Sequence, residues 1–452
     1  MSNALQPTLP RIDGQRWAVL GMGETGVSCA RFLAARGAQV RCLDAAAEPP
    51  ARPRLAAELP ALEWRCGPLV PEALADVDAI VASPGVALEQ PALQAASARE
   101  VPIVGDIQLF ASVTRRPVIG ITGSNGKSTV TTLVWRILEA AGRSVRAGGN
   151  LGPPALDLLA PPEPSCFVLE LSSFQLELTR SLGLAVACIL NLSADHLDRH
   201  GTMAAYRAAK ARILEQASDV VLNADDPAVA ALAPEGLPVR WVGTKAEYHV
   251  AAHAGERWLL RGNTPLMPAS ALKIEGQHNE FNALAAIAIT DCLAVPLAAQ
   301  RSALEAFDGL PHRCRLVARH QDIAWFDDSK GTNIGATIAA IEGLLVGRQG
   351  VLIAGGQGKG ADFRELRPAI QGRVHTVILL GQDAPLLEAA LADIAHCEQV
   401  GDLREAVVRA QRAARPGDAV LLSPACASLD MFDNYAHRGR AFAAAVREAV
   451  GE

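Results

Sequence analysis

Nine short apolar runs are spaced along the chain: "RWAVLG", "QVRCLD", "PVIGIT", "FVLELS", "AVACILNL", "DVVLNA", "GVLIAGG", "TVILLG" and "AVLLSP". Each reads as a strand, and the intervening stretches, rich in Ala, Leu, Arg and Glu, read as helices. This alternation predicts an α/β protein built on parallel sheets. The longest greasy stretch, "ALAAIAITDCLAVPLAA", is interrupted by Asp291 and Pro296 and so reads as a buried helix and its exit, not as a membrane span.

Three strand ends carry glycine clusters: "GMGETG" near the start, "GSNGKST" at about residue 123 and "GGQGKG" at about residue 355. Each is expected to open the ligand-binding edge of its own domain. A chain of 452 residues is too long for one hydrophobic core. Joints near 105 and near 309, at "FDGLPHR", divide it into domains 1–105, 106–309 and 310–452. Half the residues are hydrophobic and 20% are charged, a globular composition. The net charge is −6 and no basic block or basic-aromatic stripe appears, so nucleic acid is not an expected partner. The opening "MSNALQPTLPRIDGQRW" lacks a basic region followed by an apolar core and does not read as a signal peptide. With no span either, a cytoplasmic location without a membrane partner is expected. Nine cysteines with no CxxC pair argue for buried, reduced thiols over a disulfide framework or a zinc site.

Gly21, Gly23 and Gly26 form GxGxxG after a strand, and Asp44 ends the next one, the layout of a dinucleotide fingerprint. A helix N-terminus there accepts any ligand phosphate, so nicotinamide dinucleotide and other nucleotides both remain open. In "TGSNGKST", backbone N–H groups can wrap phosphate oxygens, Lys127 can neutralise charge between two phosphates, and Ser128 can hold magnesium. The spacing departs from GxxxxGK[ST], because Ile121 stands where that pattern has its first glycine and Gly120 comes one residue early.

"GITGSNGKST", "LELSSFQLE", "NLSADHLDRHG", "YRAAKARI", "GQHNEFNALAA", "GLPHRCRLV", "DDSKGTN" and "SPACASLDMFDNYAHRG" occur in that order over nearly the whole chain. Together they resemble the Mur ligase family, and most closely its D-glutamate-adding members. The resemblance implies three domains: a Rossmann-like UDP-binding domain, a central P-loop-type ATPase domain and a C-terminal Rossmann-like domain. It implies ATP-dependent addition of D-glutamate to UDP-N-acetylmuramoyl-L-alanine in cytoplasmic peptidoglycan precursor synthesis, by a monomer. The first glycine loop would then receive UDP and no hydride would move. The alternatives are another Mur ligase, a folylpolyglutamate synthetase, or a nicotinamide-dependent oxidoreductase.

Joining a carboxylate to an amine at neutral pH needs a leaving group, which ATP supplies by forming an acyl phosphate. The resemblance assigns Gly123, Ser124, Asn125, Gly126, Lys127, Ser128 and Thr129 to the ATP phosphates, Asn279 and Asn282 to adenine, Arg313 to phosphate and Asp328 to ribose. It assigns Gly23, Thr25, Gly26, Asp44, Ser83, Asn150 and Ser172 to the UDP-sugar. Lys359, Thr332, Ser428, Leu429 and Tyr435 are assigned to the amino acid, with Ser428 expected where a strand gives way to a helix. Ser128 and Glu170 would share one Mg2+, His196 would bind a second, and Lys210 would face magnesium as a carbamate. Lys127, His196 and Lys210 are the implied catalytic groups. Three positions depart from the family pattern: Ala45-Ala46 replaces a hydroxyl and an arginine, Ser193-Ala194 replaces a larger polar pair, and Tyr435 replaces phenylalanine.

Overall fold

The computed structural model describes residues 11–451. The first ten residues, which include most of the stretch read as lacking a signal peptide, and Glu452 lie outside the described residues. Three sheets follow one another along the chain. The first contains β1 (Arg16–Leu20), β2 (Gln39–Asp44), β3 (Glu63–Cys66), β4 (Ala79–Ala82) and β5 (Ile103–Val104), in the order β3-β2-β1-β4-β5. All its pairings are parallel.

The second sheet has the order β14-β13-β12-β11-β10-β9-β6-β8-β7. Its parallel part comprises β6 (Val118–Thr122), β7 (Val145–Gly149), β8 (Cys166–Glu170), β9 (Val186–Ile189), β10 (Asp219–Asn223) and β11 (Val239–Val242). β6 and β8 are buried along their whole length, as strands covered by helices on both faces must be. The third sheet, ordered β15-β16-β20-β17-β18-β19, contains β15 (Arg315–His320), β16 (Ile323–Asp327), β17 (Gly350–Gly355), β18 (Val374–Leu380), β19 (His396–Gln399) and β20 (Ala419–Leu422).

The expectation of wholly parallel sheets fails at two edges. β12 (Tyr248–His253), β13 (Glu256–Arg261) and β14 (Thr264–Pro268) form an antiparallel meander, and β15 runs antiparallel to β16. The cause is local turn chemistry. Ala254-Gly255 and Gln321-Asp322 both hold positive φ at two successive residues, the backbone of a two-residue hairpin whose twist matches that of the strands.

One core joins the first two units. Trp17, Val19 and Leu33 pack with Ile107, Phe110, Phe167 and Leu169, and the rings of Phe110 and Phe167 meet edge to face at 5.1 Å. On the other side of the second sheet the helices Lys127–Ala140 and Gln277–Cys292 bury Val130, Leu133, Ala285 and Ile287. The greasy stretch is therefore an internal helix, and Pro296 caps the one that follows. No helix among the described residues is long and apolar enough to cross a membrane. The third sheet has a core on each face. All nine cysteines are free thiols, five of them buried.

Candidate active site

Three cavities adjoin where the glycine-bearing strand ends meet. A cleft of about 880 Å³ lies along the first sheet, a chamber of about 370 Å³ lies at the junction of the units, and a pocket of about 200 Å³ opens beyond it. Asn150 lines both the cleft and the chamber. Asn125, Gly126, Arg313 and Lys330 line both the chamber and the pocket.

The lysine loop follows β6. Gly126 has φ +81, and a Cβ there would lie 2.7 Å from Asn282 Oδ1, so the turn needs glycine on both counts. Gly120 is a packing residue, since its Cβ would meet Leu184 Cδ1 at 2.7 Å. This accounts for the irregular glycine spacing, as the loop itself begins at Gly123. Asn191, unassigned from sequence, clamps the loop: its Oδ1 accepts from Asn125 N at 2.7 Å and its Nδ2 donates to Asn125 O at 3.0 Å. Lys127 Nζ donates to Gly123 O and Ser124 O, each at 2.8 Å, and burial lowers its pKa.

A hydrogen-bond chain crosses the chamber. Asn150 Nδ2 donates to Glu170 Oε1 at 2.6 Å, Ser128 Oγ donates to Glu170 Oε2 at 2.5 Å, and Arg313 Nη2 donates to Ser128 Oγ at 2.6 Å. Glu170 is buried at the end of β8. A hydroxyl beside a carboxylate at a phosphate loop suits magnesium, which keeps several waters and takes its remaining ligands from substrate phosphates. Among the described residues no three His, Cys, Asp or Glu gather as a cage. The donor set thus fits a cation shared with substrate.

His196 takes a left-handed conformation at φ 54 in the loop after β9, beside Asp195 at 3.6 Å and with its ring 5.0 Å from that of Phe174. Burial lowers its pKa, which keeps the imidazole neutral and able to bind a cation. At the Ser193-Ala194 departure, the backbone of Ser193 still serves the loop by exchanging hydrogen bonds with Ser124 Oγ, while its own Oγ is buried without a partner. Lys210 is 2% exposed in the helix Met203–Ala211. Its Nζ donates to Gly123 O at 2.9 Å and Thr122 Oγ1 at 3.2 Å. Burial first, and then repulsion from Lys127, push its pKa well below the ordinary value of 10.5.

The small pocket gathers Thr129, Asn279, Asn282, Arg313 and Asp328. Asn282 Nδ2 donates to Asn279 Oδ1 at 3.1 Å, which fixes the two amides relative to each other. Asp328 accepts from Ser423 Oγ at 2.7 Å and Cys314 N at 3.2 Å, and burial raises its pKa to about 7. It caps no helix; Asn333 does that for Ile334–Leu344.

Lys359, Thr332, Ser428, Leu429 and Tyr435 all line the chamber wall supplied by the third unit. The placement of Ser428 needs correction. β20 ends at Leu422 and the helix begins at Tyr435 with Asn434 as its cap, so Ser428 lies in the long turn between them and not at a helix N-terminus. Arg438, 2% exposed, holds this turn by donating to Cys426 O, Ser329 O and Ser329 Oγ. Lys330, within "DDSKGTN", joins the chamber wall with no local signal in the sequence to mark it. Its Nζ sits 4.1 Å over the Tyr435 ring, and burial, with Arg313 and Lys127 nearby, lowers its pKa to about 8.

In the large cleft, Gly23, Thr25, Asp44 and Ser83 line the wall, together with Asn150 from the second unit. Asp44 accepts from Met22 N at 2.7 Å and Ala46 N at 2.8 Å, which orders the glycine turn. Gly26 is a close-approach position, since a Cβ there would lie 1.9 Å from Gly21 O. Ser172 lines the chamber instead of the cleft and caps the helix Ser173–Glu177 through a capping box with Gln175.

Three family profiles match in chain order: the Mur ligase MurD-like N-terminal domain over residues 15–105, the Mur ligase middle domain over 121–290 and the Mur ligase glutamate ligase domain over 312–426. The UDP-N-acetylmuramoylalanine--D-glutamate ligase of Nitrosococcus oceani is 49% identical over 449 residues, covering 98% of this chain and 99% of that protein. The enzyme of the same name from Pseudomonas aeruginosa is 47% identical over 436 residues, covering 95% and 97%. Among solved structures, MurF from Acinetobacter baumannii is similar at a TM-score of 0.62 with 18% identity, covering 96% of this chain and 91% of that one. UDP-N-acetylmuramate-alanine ligase MurC from Thermotoga maritima is similar at 0.61 with 20% identity, covering 96% and 100%.

Proposed function

The chain belongs to the Mur ligase family, and we infer that it performs the reaction for which its full-length relatives are named, the ATP-dependent joining of D-glutamate to UDP-N-acetylmuramoyl-L-alanine in peptidoglycan precursor synthesis. The oxidoreductase alternative falls with that membership. The observation that carries the reading is the meeting of three cavities at one chamber, with Lys127, Arg313, Lys330 and Lys359 around it. The donor would lie in the large cleft with its carboxylate past Asn150. ATP would lie with adenine at Asn279 and Asn282, ribose at Asp328 and its terminal phosphates at the lysine loop.

The carboxylate attacks the γ phosphorus, ADP leaves, and the acyl phosphate forms between the four cations. These fixed charges stabilise the anions as they approach and need no reorganisation to do so. The neutral amine of D-glutamate then attacks the acyl carbon; phosphate leaves and the amine loses its proton. Ser128 and Glu170 would hold one magnesium, His196 would offer a ligand to a second, and Lys210 would face the metal as a carbamate; magnesium would supply charge neutralisation when bound. The test is phosphate release from ATP, crossing UDP-muramyl donors with amino acids of both hands. Release that does not require both a donor and D-glutamate would overturn the assignment.

Two roles carry their own predictions. Asp44 orders the glycine turn and keeps lone pairs free for ribose or base, so Asp44→Ala should raise the donor KM strongly and the ATP KM little. Equal rises in both would place Asp44 elsewhere. Lys359 would clamp the side-chain carboxylate of D-glutamate, with Ser428 and Thr332 beside it. Loss of one charge-assisted bond costs about 1.5 to 3 kcal/mol, so Lys359→Met should raise the D-glutamate KM by roughly ten- to a hundredfold while acyl phosphate still forms. Reduced ATP affinity with D-glutamate unaffected would move Lys359 to the nucleotide site.

A further inference from the structure

Among the described residues that line the large cleft, Arg65 is the basic one, set against Glu24, Asp44 and Glu72. Its position follows from strand order. The glycine turn follows β1, Asp44 ends β2, and β3 lies beyond, with Arg65 in register with Leu43 and Cys66 in register with Asp44. Strands are about 4.8 Å apart, so Arg65 stands about 10 Å along the sheet from the strand that feeds the turn. This inference rests on the reading of the cleft as the UDP site. A nucleotide whose phosphates sit at the turn and whose ribose passes Asp44 brings the far edge of its base to β3.

That end of the cleft is poor in donors. The Asp44 carboxylate can only accept, as it does from Met22 N and Ala46 N, and Leu43, Ala45, Pro68, Leu69 and Val70 offer no donor from their side chains. Arg65 is held ready by its own strand: Nε donates to Glu63 Oε1 at 3.0 Å, and Glu63 Oε2 accepts from Arg41 Nε at 2.7 Å. Arg41 is itself buried and tied to Asp76. The two Nη groups of Arg65 make no hydrogen bond among the described residues, and its side chain is 44% exposed.

We propose that Arg65 reads the base of the donor, its Nη groups donating to O4 of uracil. Guanidinium is a donor only. It therefore favours the uracil carbonyl and disfavours cytosine, which presents an N4 amino donor at the same edge. The residue selects the nucleotide without touching the reacting atoms.

The test is calorimetric titration of the full-length protein with UDP and with CDP. Wild type should prefer UDP. Arg65→Met should weaken UDP binding about tenfold or more and shrink the UDP-to-CDP preference, because a charge-assisted bond is lost from one nucleotide alone. Arg65→Gln guards against misfolding of the methionine variant. Its amide can donate to O4 or accept from N4, so the preference should shrink while UDP affinity falls less. A wild-type UDP-to-CDP ratio retained in both variants, or no preference in wild type, overturns the proposal. Wild type that binds neither nucleotide overturns the reading of the cleft itself, and a structural role for Arg65 would weaken both nucleotides equally.

Discussion

Lys127→Ala should reduce ATP-dependent phosphate release by about 10³-fold or more while leaving UDP affinity within about twofold of wild type. The first effect follows from charge: a preorganised group aimed at developing negative charge in a closed site is worth about 10² to 10³ in rate, and Lys127 would face two phosphates at once. Its Nζ now rests on two loop carbonyls, Gly123 O and Ser124 O, which hold it over the turn that phosphate would fill. The second effect follows from position, because Lys127 lines the chamber and not the large cleft. Phosphate release by stopped assay and UDP titration of the same preparation check both halves. Near-normal turnover would remove Lys127 from the ATP site, and a parallel loss of UDP binding would point to collapse of the loop.

How much of this was legible in the sequence depends on the range of each signal. All nine apolar runs contain a strand, because burial on both faces writes itself into consecutive residues. The antiparallel edges escaped because their hairpin turns use Ala254-Gly255 and Gln321-Asp322 in place of stronger turn pairs. The lysine loop was legible as a phosphate cradle, yet the residues that hold it were not. Asn191 is 66 positions from Asn125, and Arg313 reaches Ser128 across 185. Contacts of that span leave no periodic trace in a single chain. Lys330 is a different case: it lies within "DDSKGTN", and only its placement over Tyr435 at the chamber wall distinguishes it from a solvated loop lysine. The strand before Ser428 and the helical pattern after it read as a direct strand-to-helix junction, whereas the turn between them is fixed from a distance by Arg438.

Lys210→Ala should leave almost no activity, about 10³-fold below wild type, and a short carboxylic acid should restore part of it. The premise is the proposal that Lys210 works as a carbamate. Carbon dioxide reacts only with a neutral amine, and burial together with Lys127 holds this amine neutral at pH values where a surface lysine is charged. Carbamylation turns a residue that would repel Lys127 and any nearby magnesium into an anion that attracts both, and formate or acetate in the vacated space would supply the same charge. Stability gives an independent reading. In unmodified protein the folded state releases the proton that the unfolded chain keeps up to its ordinary pKa of 10.5. The site therefore costs stability below that value, and the cost is relieved as pH rises between the folded and unfolded pKa values. Lys210→Met, which carries no titrating group, should then melt no lower than protein stripped of carbon dioxide and show a flatter rise of melting temperature with pH, yet remain inactive. Activity that survives removal of carbon dioxide, or an acid-insensitive Lys210→Ala variant paired with an unmodified Lys210 amine in the active magnesium-loaded enzyme, would show that the lysine acts unmodified.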